Sequence, residues 1–283
     1  MKNYKKMFFP IGGGEELEER LYGAFLVAKY FNTNLEVLKC DFNTNKNMYK
    51  TLSLPKEVLH NIEEVIDANY EDENKKFLEL VEKVAKEADV IIAKDPLKDK
   101  ACITLSIKEG LRSRLVENES KYCDLVVAAA PPSGVTTATF ETAILKSGKS
   151  VLMIPRIMRQ FSLESIIIGW NNSPESSRAI TSSIEILKKA QKVHIVSSKE
   201  YIDDKYSLQK LVNYLKMHDI NASFEIVTTT RIPGQALLNA GLDGNFDLII
   251  AGAYGHRGLK ELMFGGATRY LLEHSTIPVF MSH

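Results

Sequence analysis

Apolar positions along this chain fall into two alternating patterns. Short unbroken runs, such as Ser165-Ile166-Ile167-Ile168-Gly169-Trp170 and Asp247-Leu248-Ile249-Ile250-Ala251, are too short for a buried helix and predict buried strands. Between them the spacing turns helical. Ala179, Ile180, Ile184, Ile186 and Leu187 share one side of a helix over about residues 175–189, with Ser173 as its N-cap and Pro174 at its first position. Further strands are predicted at 192–196, 222–227 and 277–281, and further helices at 206–217, near 234–240 and from 269 onward. The first half follows the same order, with strands at 6–11, 35–40, 103–107, 124–129 and 151–154 and a helix at 15–31. Strands alternating with helices predict an α/β fold with mainly parallel, doubly wound sheets.

The chain can be laid on itself. Cys123-Asp124-Leu125-Val126-Val127-Ala128 mirrors Phe246-Asp247-Leu248-Ile249-Ile250-Ala251, and Val151-Leu152-Met153-Ile154-Pro155 mirrors Pro278-Val279-Phe280-Met281-Ser282. Two copies of one domain are therefore expected, at 1–155 and 164–283, joined by a linker at 156–163. The first copy carries an added segment at 41–88. It has helical spacing at Val58, Ile62, Val65 and Ile66 and again at Phe77, Leu80, Val81 and Val84. The second stretch reads as an amphipathic helix on the sheet. For the first stretch, a cap over the site stays open.

The copies also differ in chemistry. After the strand ending at Ala251 the chain reads Gly252-Ala253-Tyr254-Gly255, nine residues, then Gly265-Gly266-Ala267-Thr268. Glycines at a strand end and helix start let backbone approach a ligand, and unpaired amides at a helix start hold phosphate. The plainer reading is a tight turn with close helix packing. The first copy has Ala130-Pro131-Pro132-Ser133-Gly134 at that place. Proline has no amide to donate, so no phosphate nest of this kind is expected there.

From Phe246 onward the sequence closely resembles the end of a universal stress protein domain. ATP-binding members of that family carry Gly, two residues, Gly, nine residues, then Gly followed by Ser or Thr. Here Gly266 stands in place of the hydroxyl residue. The tandem layout resembles two-domain universal stress proteins. The resemblance implies two five-stranded Rossmann-like sheets of strand order 3-2-1-4-5, with a ligand crevice between strands one and four. It implies an adenine nucleotide, ATP or AMP, in the second copy, bordered by Trp170, Asn171, Asn172, Val196, Gly252, Gly255, His256, Arg257, Gly265, Gly266, Ala267 and Thr268. Asn171 replaces the family's Asp, and His256 and Arg257 read equally as solvated. The final strands are expected to pair antiparallel, making a pseudo-dimer within one chain, with dimerisation of whole chains a further expectation. The resulting reading is a non-catalytic stress-response or signalling protein. Two alternatives stay open: a scaffold for a protein partner that binds no nucleotide, and a slow ATP hydrolase.

Composition narrows the partners. Lys+Arg and Asp+Glu are both 36, so the net charge is zero, which argues against a nucleic-acid or anionic-membrane partner. No apolar segment approaches the ~20 residues of a membrane helix. Cys40, Cys102 and Cys123 are odd in number and flanked by apolar or strand-like residues, so they read as reduced core thiols of a cytoplasmic protein. The six histidines have no metal-ligand spacing, and no metal site is expected. No paired carboxylates or nucleophile–base set suggests catalytic residues. Asp203-Asp204 reads as a solvated loop, and Gly12-Gly13-Gly14 as a plain strand-to-helix turn.

Overall fold

A computed structural model describes residues 4–12, 15–41, 55–132, 137–202, 205–228, 232–254 and 266–283. The first half runs β1 (Lys6–Pro10), α1 (Leu17–Phe31), β2 (Asn34–Asp41), α2 (Lys56–Ala88), β3 (Ile91–Ile92), β4 (Cys102–Glu109), α3 (Arg112–Glu119), β5 (Leu125–Ala129), α4 (Ala138–Lys146) and β6 (Val151–Ile154). The second runs β7 (Ser165–Gly169), α5 (Pro174–Leu187), β8 (Lys192–Ser198), α6 (Lys205–Lys216), β9 (Ala222–Val227), α7 (Pro233–Asp243), β10 (Leu248–Gly252), α8 (Ala267–His274) and β11 (Val279–Ser282).

The eleven strands among the described residues form one sheet of order β3-β4-β2-β1-β5-β6-β11-β10-β7-β8-β9. Each half repeats the same order outward from the middle, and the first half adds the two-residue β3 at its edge. Neighbours are parallel except β6 and β11, which run antiparallel with Val279 opposite Met153, Phe280 opposite Leu152 and Met281 opposite Val151. The expected pairing of the final strands is thus present, and it fuses two sheets into one. Helices cover both faces. Strands covered on both sides have no reason to alternate polar and apolar residues, which is why Ile166, Ile167 and Ile168 are all fully buried.

Two apolar layers lie on the two faces, and both cross the β6–β11 seam. One contains Phe25 of α1, Val81 of α2, Ile180 of α5 and Leu208 of α6, with Ile154 and Phe280 from the seam. The other contains Val116 of α3, Phe140 of α4, Leu237 of α7 and Leu271 of α8, with Met153 and Met281. Successive strand residues point to opposite faces, so each seam strand contributes to both layers. Burying a side chain such as Phe280 contributes roughly 1.5–3 kcal/mol.

The linker is part of the fold. Met158 and Leu163 are buried, the Arg159 guanidinium lies over the Tyr22 ring and pairs with Glu19 at 2.5 Å, and Phe161 meets Tyr30 edge-on at 5.1 Å between centroids. Gly23 permits this approach, because a Cβ there would come within 3.2 Å of the Ile154 side chain and 3.5 Å of Met158.

The segment before β3 is a single helix of 33 residues. Its C-terminal stretch buries Phe77, Val81 and Val84 against the sheet. In its N-terminal stretch Val58 is 41% and Val65 is 61% exposed. These residues face solvent, and they do not form a packed cap.

Candidate functional site

The strand order reverses between β1 and β5 in one half and between β7 and β10 in the other. Ligands of doubly wound sheets sit at such points, beyond the carboxyl ends of the strands.

In the second half β7 ends at Gly169, where a Cβ would lie 2.5 Å from Leu237 Cδ2. Trp170 extends the ladder by donating its N–H to Val196 O at 2.9 Å, and Ser197 Oγ donates to Trp170 O at 2.6 Å. The Val196 side chain is buried in the apolar layer under α7 and α8, so its packing accounts for it without a ligand. Asn171 Oδ1 accepts the N–H of Ser173 at 3.2 Å, and Asn172 takes a left-handed conformation, φ 58°, which Asn tolerates. This turn sets up α5, which opens with a capping box between Ser173 and Ser176. One role of Asn171 is therefore local, holding the turn.

Gly252 closes β10. A Cβ there would lie 2.6 Å from the Ser176 amide nitrogen and 2.9 Å from the Glu175 carbonyl carbon. Glycine is required at this position simply for the strand end to press on the first turn of α5. Beyond it, Ala253 donates its N–H to Ser282 O at 3.0 Å, and Tyr254, at φ 53°, donates its N–H to Thr268 Oγ1 at 3.4 Å. That bond ties the start of the glycine loop to the first turn of α8. Gly266 is the N-cap of α8, with φ −63° and ψ 167° and no side-chain cap bond. Ala267 packs on Gly234, where a Cβ would sit 2.6 Å from Ala267 O. Gly255, His256, Arg257 and Gly265 lie outside the described residues.

Sequence reasoning missed Glu175. Its Cβ would lie 2.9 Å from a Cβ at Gly252, its carboxylate pairs with Arg178 at 2.9 Å, and its Oε2 is buried without a hydrogen-bond partner. Burial pushes its pKa up, but its own backbone N–H, the Ser173 hydroxyl and the charges of Arg178 and His283 outweigh that and hold it below its ordinary value. Its sequence context, an acid in a first helical turn, signals only a favourable helix dipole.

In the first half the equivalent crevice is a cavity of about 60 Å³ where β1 and β5 end, bordered by Pro10, Ala130, Pro131 and Thr137 and by the side chains of Arg20, Arg112 and Arg156. Pro131 is buried in its wall. Among the described residues, no group of three or more His, Cys, Asp or Glu is placed to hold a metal ion. No helix among them is long and apolar enough to cross a membrane.

Residues 190–283 match the universal stress protein family. The whole fold is similar to that of a universal stress protein from Archaeoglobus fulgidus DSM 4304, with TM-score 0.68 and 16% identity over 97% of this chain and 94% of that one. It is also similar to a functionally unknown protein from Pseudomonas aeruginosa PAO1, with TM-score 0.56 and 13% identity over 98% and 92%. At these identities the likeness concerns the fold. No curated protein matches the sequence.

Proposed function

We propose that this chain, a member of the universal stress protein family through residues 190–283, binds an adenine nucleotide, ATP or AMP, where β7 and β10 end. One observation carries this reading. Helix α8 opens at Gly266 without a side-chain cap, and the Tyr254–Thr268 bond holds that opening against the end of β10. The first-turn amides of a helix have no partner within the helix itself, and those of α8 sit at the strand-order reversal, where an anionic group is favoured.

In this reading Trp170, Asn171 and Asn172 border the nucleoside side. Gly252, Gly266, Ala267 and Thr268 border the phosphate side, together with Gly255, His256, Arg257 and Gly265 of the same loop. Val196 contributes its backbone. The protein acts by holding the nucleotide as a stress-response signal, and no residue is assigned to bond cleavage. The repeated strand order supports treating 1–155 and 164–283 as two domains, of which the second carries the nucleotide.

The test is titration calorimetry of the full chain with ATP and AMP, expected to show one site. Gly266→Asp is the informative variant. Asp is a favourable N-cap, so α8 is preserved while a carboxylate is set where phosphate would lie. Binding should be lost with no drop in melting temperature. A wild type that binds neither nucleotide, or binding unchanged in Gly266→Asp, overturns the reading.

A further inference from the structure

The two ends of the sheet are finished differently. At the first-half end the edge strand is β3, two residues long, which runs parallel to β4 with Ile91 opposite Cys102 and Ile92 opposite Ile103. The chain continues as Ala93-Lys94-Asp95-Pro96. A very short edge strand followed by charges and a proline is how sheets avoid further pairing. At the other end the edge strand is β9, the counterpart of β4, and no strand among the described residues lies beyond it. It is six residues long, Ala222–Val227. It contains no proline and no lysine. Its register with β8 runs one to one from Val193 opposite Ala222 to Ser198 opposite Val227, with no bulge. Its one charged residue, Glu225, is turned back to β8, where its carboxylate lies 3.4 Å from His194 Nε2. The place that β3 fills in the first half is thus bare in the second, along backbone N–H and C=O groups that favour a partner.

A second copy of this chain fits that edge. Identical edges related by a two-fold axis pair antiparallel and are self-complementary, and antiparallel pairing is already how this chain joins its halves at β6 and β11. The net charge is zero, so whole copies do not repel one another. Side chains choose the register. Ala222, Phe224 and Ile226 pack in the layer under α6, and Ser223, Glu225 and Val227 alternate with them on the other face. A two-fold axis perpendicular to the sheet sets residues of one face opposite each other. Centred on Glu225, the pairing would oppose two carboxylates, which is unfavourable. Centred on Phe224, it sets ring against ring and Ala222 against Ile226, and it brings the exposed Ser223 of each copy opposite Glu225 of the other. The Ser223 oxygen lies 2.7 Å from His194 Nδ1. When the ring donates to it, the hydroxyl keeps its proton for that carboxylate. We propose that two copies of this chain associate through antiparallel β9 strands, centred on Phe224, into one continuous sheet.

The experiment is sedimentation equilibrium of the full chain over a dilution series. It should show a reversible dimer of twice the 31.8 kDa chain mass. Ser223→Glu opposes carboxylates at two symmetric places and should raise the dissociation constant about tenfold. Adding Glu225→Lys to that variant sets opposite charges facing each other and should return the constant to within about threefold of wild type. Both positions are exposed, so circular dichroism melts at dilutions where the wild type is monomeric should coincide. Ser223→Lys guards against misfolding of the first variant. It places a cation opposite Glu225 and should dimerise at least as tightly as wild type. A wild type that stays monomeric, a dimer indifferent to Ser223→Glu, a double variant that is not restored, or weaker dimerisation of Ser223→Lys would each overturn the assignment. The first of these outcomes would leave the edge to an extended segment of another protein or to none.

Discussion

Asp124 and Asp247 hold the same position in the two halves. Each ends the turn before a strand next to the switch point, and each aims one carboxylate oxygen at the start of the neighbouring first strand. Asp247 Oδ2 accepts the N–H of Ser165 at 2.8 Å, and Asp124 Oδ2 accepts those of Lys5 and Lys6 at 2.8 and 3.0 Å. A bond to a charged group is worth about 1.5–3 kcal/mol. Asp247→Ala should therefore lower the urea-unfolding free energy by about that much, and Asp124→Ala by less, since its bonds are exposed. Unchanged midpoints in both would show that these bonds do not set strand register.

The seam couples the halves. Phe280 is fully buried opposite Leu152, and Phe→Ala in such a site costs about 3–5 kcal/mol. Scanning calorimetry of Phe280→Ala should show the whole protein melting earlier in one transition. Two separated transitions, only one of them shifted, would contradict a shared core.

Gly266 has extended backbone angles open to any residue, so Gly266→Ser introduces no strain. As an N-cap Ser exceeds Gly by only a few tenths of a kcal/mol, and melting should hardly change. In the proposed pose the added hydroxyl reaches a phosphate oxygen, and ATP should bind roughly tenfold tighter. Unchanged ATP affinity with an intact fold would count against that pose.

Glu175 brings negative charge to the first turn of α5, the turn that presses on Gly252. Glu175→Gln should strengthen ATP binding severalfold at low salt, with the gain shrinking as salt screens it. The variant also has a pH signature. The folded-state carboxyl sits below its usual value, near ~4.3 for an unperturbed Glu. Its stabilising contribution is therefore complete above that value and is lost as pH falls through the folded-state value. Replacing it with Gln should flatten the acid side of the stability profile. An identical acid limb would mean the carboxylate interacts no better in the fold than in the unfolded chain.

The thiols should be inert. Burial raises the Cys123 pKa to about 12, its thiol donates to Ser120 O at 3.1 Å, and Cys102 is buried and donates to Asn34 Oδ1. Only the thiolate reacts. Ellman titration of the native protein at pH 8 should register Cys40 slowly, its own pKa raised by burial, and the other two only after denaturant. Rapid reaction of three thiols without denaturant would show that the core opens.

Much of this architecture is legible in the residues themselves. Apolar runs such as Ile166-Ile167-Ile168 mark covered strands, and the paired Asp-containing segments mark the repeat. Periodicity identifies a helix without saying what it packs on. Val58 and Val65 share the spacing of Phe77 and Val81, yet only the latter pair meets the sheet. The glycine spacing is visible in one dimension, but the contact between Gly252 and the first turn of α5 is tertiary. Arg20, Arg112 and Arg156 lie far apart in sequence on elements where a charged residue ordinarily points to water. Nothing short of the folded topology brings them together.

The antiparallel joint between β6 and β11 has a consequence for how the protein is made. Val151–Ile154 leaves the ribosome with its β5 neighbour already made, but the strand that pairs with its other edge has yet to be translated. At ~5–20 residues/s the wait is on the order of ten seconds, long for an unpaired strand edge among neighbouring nascent chains. The first half is thus synthesised as an adhesive surface, and a message truncated anywhere before Val279 would leave that surface permanently open.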